Sequence, residues 1–241
     1  MRQPWEECFK IRAYDLDFME QIKISSLFYF MQGSASNHAD VLGFGYNDLS
    51  EKNQYWVLSR AKIVFTGLTL KADELEIQTW PTGVDKLFAL RDFNICLKNG
   101  ACLAKAVTAW LIVNGQTQRP TRPDDLKKLI PEYGIPRALT ETPGKIIPSQ
   151  QNQLIFEKKV SYSDLDINRH VNNVRYIEWA ADCFPESHYC GKKIKSMQAN
   201  FLSELKFGNP VAFYQGISSL GDDMYYIEGL GKEQGKVFQA L

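Results

Sequence analysis

The 241-residue sequence has no surplus of either charge: 28 Lys and Arg face 28 Asp and Glu, for a formal net charge of zero. That argues against the global basic field with which proteins hold nucleic acid, and leaves only a local patch open. It also lacks a long apolar run. The longest, around "AVTAWLIV", falls far short of the ~20 residues that span a bilayer. The leading stretch "MRQPWEECFKIRAYD" is polar and acidic and has no signal-peptide core. Cysteine is sparse, with five residues at 8, 96, 102, 183 and 190, no CxxC and no Cys/His metal spacing. These absences lead us to expect a reduced, cytoplasmic protein with no metal and no cofactor.

What is present is globular: 44% of residues are hydrophobic and 23% charged, enough for one sizeable core or two small ones. Proline is concentrated. Six of the ten prolines lie at 120, 123, 131, 136, 143 and 148. Proline fixes φ and removes a donor, so regular sheet is not expected there. "DDLKKLI" within it suits a short helix. Residues 120–150 therefore read as a connector between domains at 1–119 and 151–241.

The flanking halves share an order of elements. The first begins with a strand, "CFKIRAY", then a helix-period segment with Ile24, Leu27, Phe28, Met31 and Ala35 on one face. Strands "WVLSRAKIVFTG", "ELEIQTW", "FALRDFNICL" and "ACLAKAVTAWLIV" follow, with "KNGA" as a hairpin turn. The second half begins with "LIFEKKVSY". A helix follows with Val171, Val174, Ile177, Ala181 and Phe184 on one face, then "SMQANFLSEL", "PVAFYQGIS", "MYYIEGLG" and "KVFQAL". One helix followed by several strands, twice, is an α+β pattern. A shift of 149 residues carries Lys10 onto Lys159 and "DLD" at 15–17 onto "DLD" at 164–166. Its place between strand and helix in both halves points to an internal duplication.

The copies diverge in chemistry. Asp166 faces Asp17, but Asn168 faces Met19 and His170 faces Gln21. Asn172 and Asn173 face Lys23 and Ile24. Asp and Asn before a helix are good caps, which accounts for Asn172 or Asn173 without any reaction. A lone histidine is more often structural than catalytic. Fold alone, however, would keep similar polarity in both copies. The second half is thus expected to carry chemistry, and the first to shape a binding cavity. A helix N-terminus offers unpaired N–H groups where an oxyanion can sit, here near Val171, Asn172 and Asn173.

"DLDINRHVNNVRYIEW" closely resembles the signature of the acyl-acyl carrier protein thioesterases, of the hotdog superfamily. "MQGSASNHADVLGFG", "EIQTWPTGVDKLFALRDF" and "AVTAWLIVNGQTQRP" resemble other segments of that family, so the similarity runs from about residue 9 to beyond 210. It implies a tandem hotdog, two antiparallel sheets each wrapped around a central helix. It implies hydrolysis of fatty acyl-carrier thioesters to free fatty acid in fatty acid biosynthesis. It assigns Asp166, Asn168 and His170 to the reaction, with Glu204 on the strand that follows. Plant members carry a cysteine directly after this glutamate; here the residue is Leu205, so a Cys–His mechanism is not available at that position. The partner implied is an acidic acyl carrier protein. Arg169, Arg175, Lys192 and Lys193 are candidates for its docking. Two hotdogs in one chain already make a pair, so a monomer is expected alongside a homodimer. Competing readings are an acyl-CoA or aryl-CoA thioesterase on the same fold, a hotdog dehydratase or hydratase, and a non-catalytic acyl-chain binder.

Overall fold

The computed structural model describes residues 3–67, 71–221 and 223–241. The chain divides into two compact units, Met1–Pro143 and Gly144–Leu241.

In the first unit, strand β1 (Trp5–Lys10) leads through a 3-10 turn (Ala13–Asp15) into helix α1 (Ile24–Val41). A short helix α2 (Tyr46–Ser50) precedes strands β2 (Gln54–Phe65), β3 (Glu74–Asp85), β4 (Phe88–Leu97) and β5 (Cys102–Asn114). The antiparallel order is β1-β3-β4-β5-β2. β4 and β5 are joined at "KNGA", where Gly100 takes φ +82°, a conformation that favours glycine. α1 buries Leu27, Phe28, Met31 and Ala35 at helical spacing and packs on β1 and β3. Phe30 also stacks on Phe9 at 4.7 Å. The expected first strand is displaced: it starts at Trp5 and ends at Lys10, because "RAY" turns away into the 3-10 segment.

The second unit repeats this plan. Strand β7 (Gln153–Lys159) and a 3-10 turn (Tyr162–Asp164) lead to helix α4 (Asn173–Ala181). A short helix α5 (Glu186–Gly191) precedes strands β8 (Ser196–Phe201), β9 (Pro210–Ile217), β10 (Tyr225–Gly231) and β11 (Gly235–Ala240). The order is β8-β11-β10-β9-β7. In both units the first strand pairs with the third, then come the fourth, the fifth and the second. Tyr176 of α4 stacks on Phe238 at 5.5 Å, and Trp179 meets Phe213 edge-on at 5.7 Å. α4 is shorter than its apolar periodicity suggests. Val171 precedes it and Phe184 follows it, because Asn172 caps the helix by accepting the Val174 N–H at 2.9 Å. The periodicity reading missed α2 and α5, which have too few turns to show an amphipathic face.

The proline-rich segment is not free of sheet. Pro120 and Thr121 form a two-residue strand β6 against Val113 and Ile112 of β5. An edge position lets a proline join a ladder. Residues 126–129 form helix α3, whose Leu126 is buried among Ala39, Leu42, Phe44 and Leu49. Farther on, Tyr133 and Ala138 pack with Trp80. Arg137 holds the buried Asp92 carboxylate by two hydrogen bonds, 2.8 and 3.0 Å, and the Ala138 N–H donates to it at 2.7 Å. This stretch lies down on the first unit through a buried ion pair and apolar contacts.

Candidate active site

The loop between the 3-10 turn and the helix has the same build in both units. In the first, the Asp17 carboxylate accepts the N–H groups of Met19 and Gln21, each at 2.8 Å. In the second, the Asp166 carboxylate accepts those of Asn168 and His170, at 2.8 and 3.2 Å. The Asp17 N–H donates to the Gln21 carbonyl, and the Asp166 N–H to the His170 carbonyl, both at 2.8 Å. Glu20 and Arg169 both turn the corner with positive φ, 58° and 63°. Asp15 and Asp164 are buried, and each accepts the backbone N–H three residues before it at 2.8 Å. The duplication is therefore a duplicated backbone as well as a repeated sequence.

Asp166 acts on the main chain of its turn. Its described contacts are to backbone amides, as are those of Asp17, which has no histidine or asparagine beside it. Asp166 thus sets where Asn168 and His170 stand by folding the turn beneath them. An asparagine can accept the same two N–H groups. Asp166→Asn should therefore keep hydrolytic activity within a few-fold, and Asp166→Ala should lose about tenfold or more as the turn loosens. Equal loss in both variants, in steady-state kinetics, would mean that the charge matters instead.

A second segment closes on this loop. The chain leaves β8 after Phe201, with Leu202 and Ser203 still donating to the Val237 carbonyl. It then bridges to the loop: His170 pairs with Lys206, and the Val171 N–H donates to the Leu205 carbonyl at 2.9 Å. Glu204 accordingly stands in the irregular segment beyond the strand, and not on the strand as expected. A residue within a ladder could not swing toward another loop in this way. The result is an approach of His170 Nε2 to Glu204 Oε2 of 3.3 Å. The imidazole is largely enclosed, whereas the Glu204 side chain is 40% exposed and open to water.

The expected oxyanion amides divide. The Val171 and Asn172 N–H groups are already spent, on the carbonyls of Leu205 and Asp164, both at 2.9 Å. They are corrected out of that role. Asn173, the first residue of α4, keeps an N–H that no described residue accepts. The Asn168 side chain is exposed at the rim, and no described residue holds its carboxamide.

The candidate docking cations also divide. Arg175 is tied to Glu178 at 2.6 Å and to the Ser163 carbonyl at 3.0 Å. Lys192 is paired with Asp223 at 3.0 Å. Arg169 and Lys193 are exposed, with no ion pair among the described residues. Around Arg169 the surface also exposes Tyr162 and Ile167, and Phe207 next to Lys206. The sequence reading gave no weight to these apolar residues, since exposure cannot be read from residue type.

The position after Glu204 offers no thiol. Leu205 is fully buried. Cys183 is also buried, and burial pushes its thiol up to about 12. No group of His, Cys, Asp and Glu among the described residues is arranged to hold a metal ion. No helix among them is long and apolar enough to cross a membrane.

A duplicated five-stranded sheet and helix, with a His170–Glu204 pair in the second copy, defines a tandem hotdog protein with a candidate reaction centre there. The family model for the acyl-ACP thioesterase N-terminal domain matches residues 3–130, and that for the C-terminal domain matches residues 148–234. The chain belongs to the acyl-ACP thioesterase family. It is 29% identical over 217 residues to a chloroplastic palmitoyl-acyl carrier protein thioesterase of Arabidopsis thaliana, covering 81% of this chain and 51% of that protein. The chain spans about half the length of the curated relatives it matches. A crystal structure of an acyl-ACP thioesterase from Bacteroides thetaiotaomicron superposes with a TM-score of 0.85 at 28% identity, over 98% of this chain and 95% of that one. The 12:0-ACP thioesterase from Umbellularia californica shares the fold, with a TM-score of 0.82 at 21% identity, over 98% and 93%.

Proposed function

We propose that this protein hydrolyses the thioester of a fatty acyl-acyl carrier protein, releasing free fatty acid and the carrier thiol. The 3.3 Å approach of His170 to Glu204 carries this reading, and family membership supplies the substrate class. Glu204, half open to water, takes a proton from a water molecule that attacks the thioester carbonyl. The carbonyl oxygen becomes an oxyanion, which the Asn173 N–H and the Asn168 carboxamide are suited to receive. Collapse expels the thiolate, and the proton held by the His170–Glu204 pair passes to sulfur. A cysteine acyl-enzyme is not available at the position after Glu204, which is a buried leucine. Positioned acid–base help of this kind contributes ~10²–10⁴-fold, adequate where the leaving group is a thiolate.

The fatty acyl chain is assigned to the first unit, whose helix α1 carries an apolar face with Leu27, Phe28 and Met31. Five free cysteines in scattered positions support a reducing compartment such as the cytoplasm. The carrier is assigned to the surface around Arg169, where a cation stands among exposed Tyr162, Ile167 and Phe207.

Release of free fatty acid from acyl-carrier thioesters of graded length, beside the matching CoA thioesters, tests the reading. Free acid from the carrier substrates is the expected product. An enoyl thioester, or retention of the intact acyl group, would overturn it. Raising salt should lower kcat/KM on carrier substrates more steeply than on CoA substrates. Arg169→Ala should weaken that dependence more than Arg175→Ala, whose guanidinium is already engaged. Equal slopes for both substrates would remove electrostatic docking.

A further inference from the structure

Two of the five cysteines stand directly opposite each other. Cys96 of β4 and Cys102 of β5 are partners across the antiparallel ladder, beside the "KNGA" turn. A bulge sets them so: Ile95 pairs with Ala104, Leu103 is passed over, and Cys96 meets Cys102. Partners in such a ladder point their side chains to the same face.

The pair is of the kind that exchanges no main-chain hydrogen bonds. One step nearer the turn, the Leu97 N–H donates to the Ala101 carbonyl at 2.8 Å. The Cys102 carbonyl looks away from β4, toward the end of β2, and accepts the Thr66 hydroxyl at 2.8 Å. Partners of this kind have Cα atoms ~4.5 Å apart, with their side chains closer than in the alternate pairs. A disulfide needs a Cα separation of about 4.4–6.8 Å, so this backbone can take one in place. The fold itself does not ask for cysteines here. The corresponding hairpin of the second unit, β10–β11, sets Leu230 against Lys236 and Gly231 against Gly235.

The two thiols differ in access. Cys96 is buried, and burial pushes its thiol up to about 11, with the Cys102 thiol pushing the same way. Cys102 is half-buried, and its thiol donates to the Ala104 carbonyl at 3.4 Å. Solvent therefore reaches Cys102 first, with Cys96 behind it as a protonated partner. Cys8 lies in the same row of the sheet, but Glu76 of β3 stands between it and Cys96. Two strand spacings, about 10 Å, put it beyond bridging.

We propose that Cys96 and Cys102 are a redox modification site, a cross-strand dithiol that closes to a disulfide when the protein meets hydrogen peroxide. In a reducing compartment the pair rests as two thiols. The Cys102 sulfur attacks the peroxide O–O bond and becomes a sulfenic acid, releasing one water. The Cys96 sulfur then displaces the hydroxyl from that sulfur. The S–S bond forms, and the Cys96 proton leaves with the hydroxyl as a second water. Two thiols lose two electrons and two protons, and one hydrogen peroxide becomes two waters. A high thiol pKa leaves little of Cys96 as thiolate, and a partner held across the ladder offsets this by proximity. The site needs neither a thioester substrate nor His170, so it stands or falls apart from the hydrolase reading.

The test treats the reduced, folded protein with hydrogen peroxide, blocks the remaining thiols by alkylation and digests with trypsin. Cleavage after Lys98 separates the two cysteines, so peptides 92–98 and 99–105 stay joined only through a bridge. The joined pair is expected, at a mass lower by two hydrogens than the sum of its parts. Two of the five thiols should be lost, and dithiothreitol should restore both. Cys96→Ser should leave Cys102 as a sulfenic acid that dimedone traps. Cys102→Ser should leave Cys96 a free thiol, and Cys8→Ser should bridge as the wild-type protein does. Without any oxidant, phenylarsine oxide, which binds two thiols at once, should protect Cys96 and Cys102 together from alkylation. Sulfinic or sulfonic acid at Cys102 with no joined peptides overturns the inference. So does a bridge to Cys8, Cys183 or Cys190, or a joined pair that forms only in denaturant.

Discussion

Replacing His170 with alanine is expected to lower kcat on acyl-carrier thioesters by about 10²–10³-fold, with little change in melting temperature. The imidazole is held by the backbone of its turn, and its described side-chain contact is with Glu204 at 3.3 Å. Its removal therefore takes away a proposed reacting group without opening a core. Glu204→Gln should produce a loss of similar size, because the amide keeps the shape but cannot accept the water proton. The double variant should lose scarcely more than either single one, since groups that act as a unit are strongly non-additive. Steady-state and single-turnover rates on one carrier substrate decide this. Additive losses would mean that the two groups act separately, and full activity in both single variants would remove the site from His170 and Glu204 altogether.

The largest stability effect is expected far from that site. The Asp92 carboxylate is fully buried on β4 and accepts four hydrogen bonds, two from Arg137, one from the Ala138 N–H and a longer one from the Thr82 hydroxyl at 3.3 Å. Asp92→Ala strands the Ala138 amide and loosens Arg137, which is 35% exposed. A buried pair broken on one side costs ~3–5 kcal/mol, and the partial exposure of Arg137 places this case near the lower end. That corresponds to a fall in melting temperature of roughly 10 °C. Asp92→Asn, which can still accept from Ala138, should fall by less. Tryptophan fluorescence is a suitable probe, since four of the five tryptophans (5, 56, 80 and 110) lie in the first unit. A melting temperature unchanged in Asp92→Ala would show that the Asp92 anchor contributes nothing to the stability of the first unit.

The sequence pattern carried the duplication, the strand count and the loop with His170 a long way, because each rests on local chemistry: periodicity, turn residues, and a repeated Asp-Leu-Asp. It did not reveal what holds those parts together. Residue type cannot say whether an aspartate carboxylate will meet a side chain or two backbone amides, and Asp166 meets amides. Nor can it say that the Val171 and Asn172 N–H groups are consumed, since one acceptor, Leu205, is 34 residues away. Glu204 left its expected strand for the same reason. The bridge from Lys206 to His170 is a long-range pairing with no period to betray it. His38, in a segment that supported the resemblance, lies buried between Arg91 and Tyr133 at 3.1 Å from each, and Tyr133 belongs to the proline-rich stretch. Such contacts are made by the fold and leave no mark in either neighbourhood alone.

The duplicated turn has a consequence for how this molecule can change. Its shape is fixed by one aspartate speaking to main-chain amides, so the side chains at the second and fourth positions after that aspartate are passengers. Methionine and glutamine ride there in one copy, asparagine and histidine in the other, on the same mount. The two side chains on such a mount can be exchanged by two substitutions without refolding the chain. One copy of the turn can thereby change its side chains while the other keeps its own.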